Sequence, residues 1–277
     1  MKILVTGGSG QLGLALRAVS TQHDMVFTVS PWSGAVAPGD QMLDITDENA
    51  VDRLVSSARP DVIVHLAALV GGACDVDDAA TRRVNVDSVE WICRASERHG
   101  VGRVVLASTA AVYGTDYSEP IDESAEAAGK SRYAQSKLSA EHILEVAATS
   151  TVALRIFNVF GASIAGSLVT RLTRSGEAGT VSLFGFDNFV RDYVHVADVA
   201  DAIVLAASAR IDQRHLVANI GSGIATSNRD LVNALERHWA LDYSVTDGPA
   251  NYSCADVSLA HRVLGFSAVR TFDDAAE

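Results

Sequence analysis

The stretch TGGSGQLG, residues 6–13, joins the short apolar run Ile3 to Val5 to a segment with apolar residues at helical spacing. Its glycines Gly7, Gly10 and Gly13 stand three residues apart. Glycine at these positions permits a tight turn, close approach of the backbone to a pyrophosphate and close packing of the helix on the strand. The helix N-terminus attracts the phosphates. The stretch therefore predicts the first strand, turn and helix of a dinucleotide-binding fold.

Short apolar runs alternate with longer amphipathic segments through the first half of the chain. The runs are typical of strands buried on both faces, and the segments are typical of helices. Parallel strands need crossover connections, so the alternation predicts a doubly wound parallel α/β sheet of the Rossmann type. The predicted strands are Ile3 to Val5, Val26 to Val29, Val62 to Leu66, Val104 to Ala107 and Val152 to Phe157, and the predicted helices are Leu12 to Ser20, Glu48 to Ala58, Arg82 to His99 and Tyr133 to Thr149.

Beyond about residue 158 the alternation becomes less regular. We predict a smaller, partly interleaved C-terminal substrate-binding domain over the open edge of the sheet, where ligands of such folds bind. The dinucleotide-binding domain is assigned residues 1–157 and 189–221, and the substrate-binding domain residues 158–188 and 222–277.

Composition excludes several classes of function. A net charge of −12 argues against a nucleic-acid surface, which needs a broad basic face. Three widely spaced cysteines without a CxxC or His/Cys cluster predict neither a disulfide framework nor a metal site. The apolar runs are too short for a signal peptide or membrane span, so we expect a cytoplasmic protein without membrane contact.

The motif YAQSK sets Tyr133 and Lys137 four residues apart on a predicted helix, and therefore on one face. An ammonium group there can lower the pKa of the phenol and orient a cofactor ribose. A phenol with a lowered pKa can exchange a proton with a hydroxyl group. Because the chain has six tyrosines and only three lysines, chance is a poor explanation of this pair. The motif indicates hydride-transfer chemistry.

The second strand leaves the cofactor open between NAD and NADP. An acidic residue usually follows this strand and accepts a bond from the ribose of NAD, but here the strand ends in TVSPWSG, with Ser30. Neither is there an arginine for the 2′-phosphate of NADP. Asp44 of LDITD (43–47), at the end of a further short strand predicted between Val29 and Glu48, is either a partner of the adenine amine or an acid that caps or begins the next helix.

Taken in order along the chain, the motifs resemble those of the extended short-chain dehydrogenase/reductases, the NAD-dependent epimerase/dehydratase family that acts on nucleotide sugars. The resemblance covers nearly the whole chain. Besides the glycine loop and YAQSK, it rests on HLAA (65–68), VNVDS (84–88), STAAVYG (108–114), RIFNVFG (155–161), RDYVHVADVADA (191–202) and NIGSG (219–223).

The resemblance implies roles at matching positions. Thr109 bonds the reacting sugar oxygen beside Tyr133, and Lys137 completes the catalytic group. Asn158 and Arg191 bind the phosphates of a nucleotide-sugar substrate, unless Arg191 pairs structurally with Asp192 or Asp198. The cofactor site is assigned to Gly7, Gly10, Gln11, Leu12, Gly13, Ser30, Asp44, Ile45, Leu66, Ala67, Ala68, Tyr133 and Lys137. Structural roles are expected for Ser108 against its strand, for His195 in the core or an interface, and for Asp198 at the start of a helix.

The two alanines after the predicted catalytic threonine reduce the number of reactions that the chain is expected to catalyse. Family members that dehydrate a sugar carry a carboxylate at these positions, and GDP-fucose synthases carry a cysteine where Ala111 stands. Ala110 and Ala111 cannot move a proton, so both reactions are disfavoured. A nucleotide-sugar epimerase, acting at C4 through a transient keto sugar, ranks first. A deoxysugar 4-ketoreductase is the alternative, and a cofactor-sensing protein ranks below both.

Two features depart from the family pattern. A second phosphate-binding arginine is missing from the segment TDGPANYSCADVS, where Asp247 stands, and Arg262 is either its substitute or a helix-surface residue. The chain also stops soon after LGFSAVRTF, earlier than its family's usual final helices. The family resemblance further implies a homodimer formed through the predicted helices Arg82 to His99 and Tyr133 to Thr149.

Overall fold

A computed structural model describes residues 1–19, 22–34 and 36–276. Its strands are β1 (Lys2–Thr6), β2 (Asp24–Val29), β3 (Gln41–Met42), β4 (Val62–His65), β5 (Arg103–Thr109), β6 (Ser150–Ile156), β7 (Asn158–Phe160), β8 (Val181–Phe184), β9 (Phe189–Arg191), β10 (Tyr193–His195), β11 (His215–Ile220), β12 (Thr226–Ser227), β13 (Tyr243–Thr246) and β14 (Asn251–Ser253). Its helices are α1 (Gln11–Ala18), α2 (Glu48–Ala58), α3 (Ala73–Val76), α4 (Asp78–Arg82), α5 (Ser88–His99), α6 (Arg132–Val146), α7 (Leu168–Thr173), α8 (Ser175–Ala178), α9 (Val196–Ser208), α10 (Asn228–Leu235) and α11 (Ser258–Leu264).

Seven strands form one parallel sheet in the order β11-β6-β5-β4-β1-β2-β3, which confirms the predicted doubly wound α/β fold. The chain order reverses between β1 and β4, so this pair forms the topological switch point where such sheets bind ligands. The carboxyl ends of β1, β4, β5 and β6 therefore bring four segments of the chain to one edge.

The sheet is covered on both faces, because its strands are apolar on both sides. On one face, α1, α9 and α11 contribute to a core with Leu16, Ile203 and Leu264. On the other face, α2, α5 and α6 contribute to a second core with Val55 and Leu144. The sheet is thus the buried middle layer of three.

A third core lies outside the sheet and involves the shorter elements of the C-terminal half. Phe160, Val169, Leu172 and Leu231 are among its fully buried members, contributed by β7, α7 and α10. The parallel pair β8 and β13 packs with them through Val181. This separate core is in keeping with a smaller substrate-binding domain; the domain bounds stay a prediction.

The single helix predicted over Arg82 to His99 is wrong. A π-helical segment, Arg83–Asp87, separates α4 from α5, and the backbone N–H of Ser88 reaches the carbonyl of Arg83 five residues back. The wider turn carries Asn85 inward, where its side chain bonds both backbone groups of Leu69, at 2.8 and 2.9 Å. The predicted helix over 133–149 ends at Val146, whereas the predicted end of the first helix at Ser20 lies outside the described residues.

Candidate active site

The glycine loop after β1 is shaped by two close approaches within the chain. Gly7 has a φ of +75°, and a Cβ built on it would lie 2.7 Å from the backbone nitrogen of Ala67. A Cβ on Gly13 would lie 2.4 Å from the carbonyl oxygen of Gly7. Packing within the protein therefore requires glycine at both positions.

Gly10 is less tightly enclosed by the protein than Gly7 and Gly13. A Cβ on Gly10 would meet one close neighbour, the carbonyl oxygen of Gly7 at 3.3 Å. Gly10 is the N-cap of α1, and no side chain in the described part of the chain bonds to the N–H groups of this first turn. Unpaired N–H groups at a helix start bind anions. A glycine at this position fits the close approach of a pyrophosphate.

A cavity of about 350 Å³ opens at the carboxyl ends of β1, β2 and β4. It is lined by eight of the predicted cofactor residues, namely Gly7, Gly10, Ser30, Asp44, Ile45, Leu66, Ala67 and Ala68. Its other lining residues were not predicted from the sequence; they are Thr6, Ser9, Thr28, Trp32, Leu43, Thr46, Leu69 and Val84. Most of these stand next to a predicted residue in the chain, so extending each strand end by one or two positions would have found them.

The remaining residues of the predicted glycine-loop site lie elsewhere. Gln11 lines a second, larger cavity. Leu12 packs against the core under α1, and Gly13 is buried within that helix. Packing explains the positions of Leu12 and Gly13.

Asp44 lies in the cofactor cavity and does not begin a helix. Its carboxylate accepts hydrogen bonds from the backbone nitrogen and the hydroxyl of Thr46, at 2.9 and 2.7 Å. The N-cap of α2 is Asp47, which accepts bonds from the N–H groups of Asn49 and Ala50. The alternative that Asp44 caps or begins this helix is therefore wrong.

Thr109 and Tyr133 lie together at the end of β5 and the start of α6. Burial raises the pKa of Tyr133 to about 12, although a hydrogen bond with the Thr109 side chain lowers it and Cys74 raises it further. The Thr109 hydroxyl accepts a bond from the backbone N–H of Ala111 at 3.2 Å. That bond fixes the oxygen while the hydroxyl proton remains available for donation.

Lys137 is 2 % exposed, and its ammonium group donates to the carbonyl oxygen of Ala107 at 2.9 Å. Burial lowers the pKa of Lys137 to about 8, and Cys74 and Glu141 partly oppose that effect. Burial, Thr109 and Cys74 set the pKa of Tyr133 in this arrangement, and Lys137 is not among the causes. That Lys137 lowers this pKa stays a prediction.

His65 of the HLAA motif lies beneath this group as a buried neutral ring. Its Nδ1 pairs with the Thr6 hydroxyl at 2.7 Å and its Nε2 with the Ser88 hydroxyl at 3.3 Å. Burial, with a smaller effect from Lys137, lowers the pKa of His65 to about 3. The ring therefore connects β1, β4 and α5 without acting as a base near neutral pH.

Ser108 has the structural role that the sequence predicted. Ser108 is 3 % exposed, and its hydroxyl bonds to Glu141 of α6, whose carboxylate also pairs with Arg155 of β6 at 2.7 Å. The Arg155 guanidinium lies 4.7 Å from the ring centre of Tyr113. This network fixes the helix that carries Tyr133 to two strands of the sheet.

A second cavity, of about 680 Å³, lies beside α7, β8 and β9 and is lined in part by Gln11, Asn158 and Arg191. Asn158 donates its side-chain amide to the carbonyl of Asp192 at 2.9 Å. The cavity is also lined by Phe189 and Tyr193, which stand two positions on either side of Arg191. Neither residue was predicted from the sequence. Alternation along a strand would have found both.

Arg191 forms no ion pair within the described residues. Its guanidinium donates to the carbonyl of Val190 at 2.8 Å and lies 3.8 Å from the ring centre of Phe189. Burial lowers the pKa of Arg191. The predicted alternative of a structural pair is wrong, because Asp192 accepts bonds from the backbone of 222, 223 and 255, and Asp198 pairs with Arg270.

His195 and Asp198 both serve α9. His195 is 2 % exposed and is the N-cap, with its Nδ1 accepting from the N–H of Ala197 at 3.3 Å. Asp198 lies in the first turn and binds the backbone N–H groups of Val269 and Arg270. The cap is thus His195, and Asp198 opens the helix and anchors the C-terminal segment.

Comparisons with known proteins identify the family of this chain. The model of the NAD dependent epimerase/dehydratase family matches residues 3–221. A UDP-glucose 4-epimerase of Azospirillum brasilense is 32% identical over 85% of this chain and 76% of its own. A dTDP-L-rhamnose 4-epimerase of Burkholderia thailandensis is 29% identical over 96% of this chain and 90% of its own.

Among solved structures, a UDP-glucose-4-epimerase from Stenotrophomonas maltophila, with bound NAD and formylated UDP-arabinopyranose, is 28% identical. It matches 99% of this chain and 95% of its own with a TM-score of 0.89. No helix in the described ranges combines the length and apolar composition that crossing a bilayer requires. The extent of the family match shows that the chain belongs to the NAD-dependent epimerase/dehydratase family of enzymes.

Proposed function

We propose that the protein is an NAD-dependent nucleotide-sugar 4-epimerase. The observation that carries the proposal is the order of functional segments along the sheet edge. The cofactor cavity lies at β1, β2 and β4, Thr109 ends the next strand, β5, and Asn158 follows β6 and lines the larger cavity. A proton-exchanging pair between a dinucleotide site and a substrate site is what sugar oxidation requires.

The residues present fit the cofactor. Glycine at position 10 is not demanded by the protein's own packing, and it borders a cavity at an uncapped helix start. The backbone at Gly7 and Gly10 and the N–H of Gln11, the first residue of α1, would hold the pyrophosphate, and Asp44 would bond the adenine amine. When bound, NAD supplies the reversible oxidation of the sugar at C4 by taking and returning a hydride.

NAD is proposed over NADP on electrostatic grounds. The described residues that line the cofactor cavity include the carboxylate of Asp44 but neither lysine nor arginine. A 2′-phosphate would therefore bring two negative charges beside Asp44 without a cation to balance them. Ser30 at the end of β2 leaves the ribose hydroxyl of NAD a neutral partner.

The chain's own residues exchange the proton of the reaction. Tyr133 takes the proton of the sugar hydroxyl and later returns it, while Thr109 donates a hydrogen bond to the same oxygen. A phenol with a pKa of about 12 is a weak acid near neutral pH, so it needs a neighbouring positive charge to stabilise the phenolate. Lys137, four residues further along α6, is the residue we propose for this charge.

Epimerisation also needs the keto sugar to turn over between the two hydride steps. The second cavity, of about 680 Å³, is lined by Asn158 and Arg191 but by neither Thr109 nor Tyr133, so it would take the phosphates and not the reacting ring. Asn158 and Arg191 would hold the phosphates while the sugar rotates about its link to them. The proposal thus assigns tight binding to the nucleotide and freedom of movement to the sugar.

A 4-ketoreductase of nucleotide-linked deoxysugars is the second candidate. The observation in its favour is Ser30, because a reductase releases its cofactor at every turnover and gains from a weaker hold on the ribose. The two candidates differ in whether the cofactor is consumed.

The test is to incubate the purified protein with a panel of UDP- and dTDP-sugars, follow reduced nicotinamide by absorbance and identify the sugar products. An epimerase interconverts C4 epimers with no net change in the nicotinamide. Stoichiometric consumption of NADH or NADPH with a keto sugar would instead establish the reductase. Activity that depends on NADP alone would contradict the choice of cofactor.

Tyr133→Phe tests the mechanism common to both candidates. Loss of the proton-exchanging hydroxyl should lower kcat by about 10²- to 10⁴-fold with nucleotide binding retained. Tyr117→Phe is the control, since the Tyr117 hydroxyl bonds only the carbonyl of Glu126 among the described residues. Full turnover by Tyr133→Phe would mean that another group moves the proton.

We also propose a homodimer through α5 and α6. The two helices lie on the same face of the sheet, and Val146 at the end of α6 is 79 % exposed. Trp91 and Leu138 are only partly buried within the single chain. Gel filtration with light scattering should give twice the chain mass, and Leu138→Glu should give the monomer mass.

A further inference from the structure

Two arginines, Arg171 and Arg191, border the larger cavity. They come from separate elements, since Arg171 lies in α7 and Arg191 ends β9. In a chain with a net charge of −12, two cations on one cavity mark it as a site for an anion. The family resemblance assigned a role to only one of them.

The packing of α7 directs Arg171 toward this cavity. Val169 and Leu172 are fully buried in the third core and fix the opposite side of the helix. Ser167 caps the helix by accepting a bond from the N–H of Thr170 at 3.0 Å. Leu168 stands one turn before Arg171 and lines the same cavity. The helix is therefore a rigid support for the arginine.

The charge of Arg171 is not used within the described protein. Its side chain is exposed, and its guanidinium has neither an ion pair nor a hydrogen bond to any of residues 1–19, 22–34 and 36–276. Most of the exposed arginines of the sheet domain do form such contacts. Arg98, for example, pairs with Asp52 at 2.7 Å. An unpaired guanidinium on a cavity wall is ready to bind an anion without first breaking another bond.

The position where the family places its second phosphate-binding arginine does not supply one here. Asp247 lies in the connection between β13 and β14, and Arg262 lies on the exposed surface of α11. Neither lines the larger cavity. The structure therefore favours the alternative that Arg262 is a helix-surface residue.

We propose that Arg171 is the second cation of the substrate site, and that it and Arg191 together hold the diphosphate of a nucleoside diphosphate sugar. This inference rests on the proposed function and names the group that replaces the missing arginine. A diphosphate has oxygens on two phosphorus atoms, so two guanidinium groups from separate elements can each bind one phosphate.

The other anion that a sugar nucleotide can bring is a carboxylate on the sugar ring. The reacting sugar must reach Thr109 and Tyr133, and neither residue lines the larger cavity. Phe184, which is 60 % exposed, does line it and offers a face on which a base can stack. Arg171 and Arg191 share this cavity with Phe184, so they lie where the diphosphate that links the base to the sugar would bind.

The experiment measures binding to the protein as purified with its cofactor. Isothermal calorimetry first ranks UDP, dTDP, GDP and ADP, and the tightest is then compared with its monophosphate and its nucleoside. The variants are Arg171→Gln, Arg191→Gln and Arg174→Gln. Arg174 is the matched control, because it is exposed three residues further along the same segment and does not line the larger cavity. Thermal unfolding checks that each variant is folded.

We expect Arg171→Gln to weaken diphosphate binding by about tenfold, the effect of one charge-assisted hydrogen bond partly exposed to water, with nucleoside binding unchanged. Arg174→Gln should bind as the wild type does. Equal diphosphate affinity in Arg171→Gln and the wild type overturns the inference while the proposed function stands. Failure of the wild type to bind any of the four diphosphates overturns the proposed function itself.

A second comparison separates the two anions. If Arg171→Gln leaves UDP and UDP-glucose binding unchanged but weakens UDP-glucuronic acid, the arginine binds a sugar carboxylate and the diphosphate assignment is wrong. Equal weakening of UDP, UDP-glucose and UDP-glucuronic acid supports the diphosphate.

Discussion

Lys137→Met should stabilise the protein near neutral pH while abolishing its activity. Lys137 is 2 % exposed, and burial lowers the pKa of its ammonium group from 10.5 to about 8. Below both values this difference destabilises the folded state by roughly 3 kcal/mol. Methionine removes that penalty but also the bond to the Ala107 carbonyl, which contributes about 1 kcal/mol. The expected net gain in the free energy of unfolding is about 2 kcal/mol.

The gain in stability from Lys137→Met should decrease as the pH rises. The unfolded chain holds the lysine proton up to a pH near 10.5, whereas the folded protein releases it near 8. Between these values the unfolded state binds more protons, so raising the pH favours folding of the wild type. The penalty is therefore complete below pH 8 and disappears as the pH rises through this interval. The advantage of Lys137→Met should shrink from pH 7 to pH 10.

Urea unfolding of the wild type, Lys137→Met and Lys130→Met at pH 7 and pH 10 measures both effects. Lys130 is exposed, so its substitution should change stability by less than about 0.5 kcal/mol at either pH. A Lys137→Met protein less stable than the wild type at pH 7 would refute the predicted penalty of the buried charge. An advantage equal at both pH values would show that the gain comes from packing and not from the buried charge.

Two further substitutions test the cofactor loop and the support of α6. Gly10→Ala should leave the melting temperature nearly unchanged and weaken NAD binding at least about tenfold, as fluorescence titration would show, because the added methyl enters the pyrophosphate approach rather than the protein's packing. Glu141→Gln should destabilise the protein by about 3–5 kcal/mol in urea, because it leaves Arg155 buried and unpaired; the exposed neighbour Glu145→Gln should cost less than about 0.5 kcal/mol.

The fold could be predicted from the sequence because its signals are local and agree with one another. Each sheet strand buried on both faces is a short apolar run, and each covering helix has its own periodicity. The glycine loop adds a steric requirement that the structure shows directly, in the approach of Gly7 to Ala67. Strand ends then give most of the cofactor cavity, because the carboxyl ends of parallel strands meet at one edge.

The features that could not be predicted from the sequence depend on contacts between distant segments of the chain. The π-helical turn at Asn85 leaves no periodic signal, since it is stabilised by the backbone of Leu69. The role proposed for Arg171 could not be predicted from the sequence, because it depends on where α7 packs against the third core. The hydrogen bond of Lys137 to Ala107 likewise links a helix and a strand about 30 residues apart in the chain. Spacing in the chain predicts neighbours on one element, and tertiary packing decides the rest.

The turn after Thr109 bears on the proposal that Thr109 and Tyr133 alone exchange the proton. Ala110 is 6 % exposed, so a carboxylate there would be buried without a partner in this packing. The next residue, Ala111, donates its N–H to the threonine oxygen and packs its carbonyl so close to Gly129 that a Cβ on that glycine would lie 2.1 Å away. The turn thus serves to position Thr109 and adds no second acid. Oxidation and reduction at one carbon need no second acid, so an epimerase and a reductase on this site would differ in whether the keto sugar turns over and whether the cofactor stays bound, and not in an added acid.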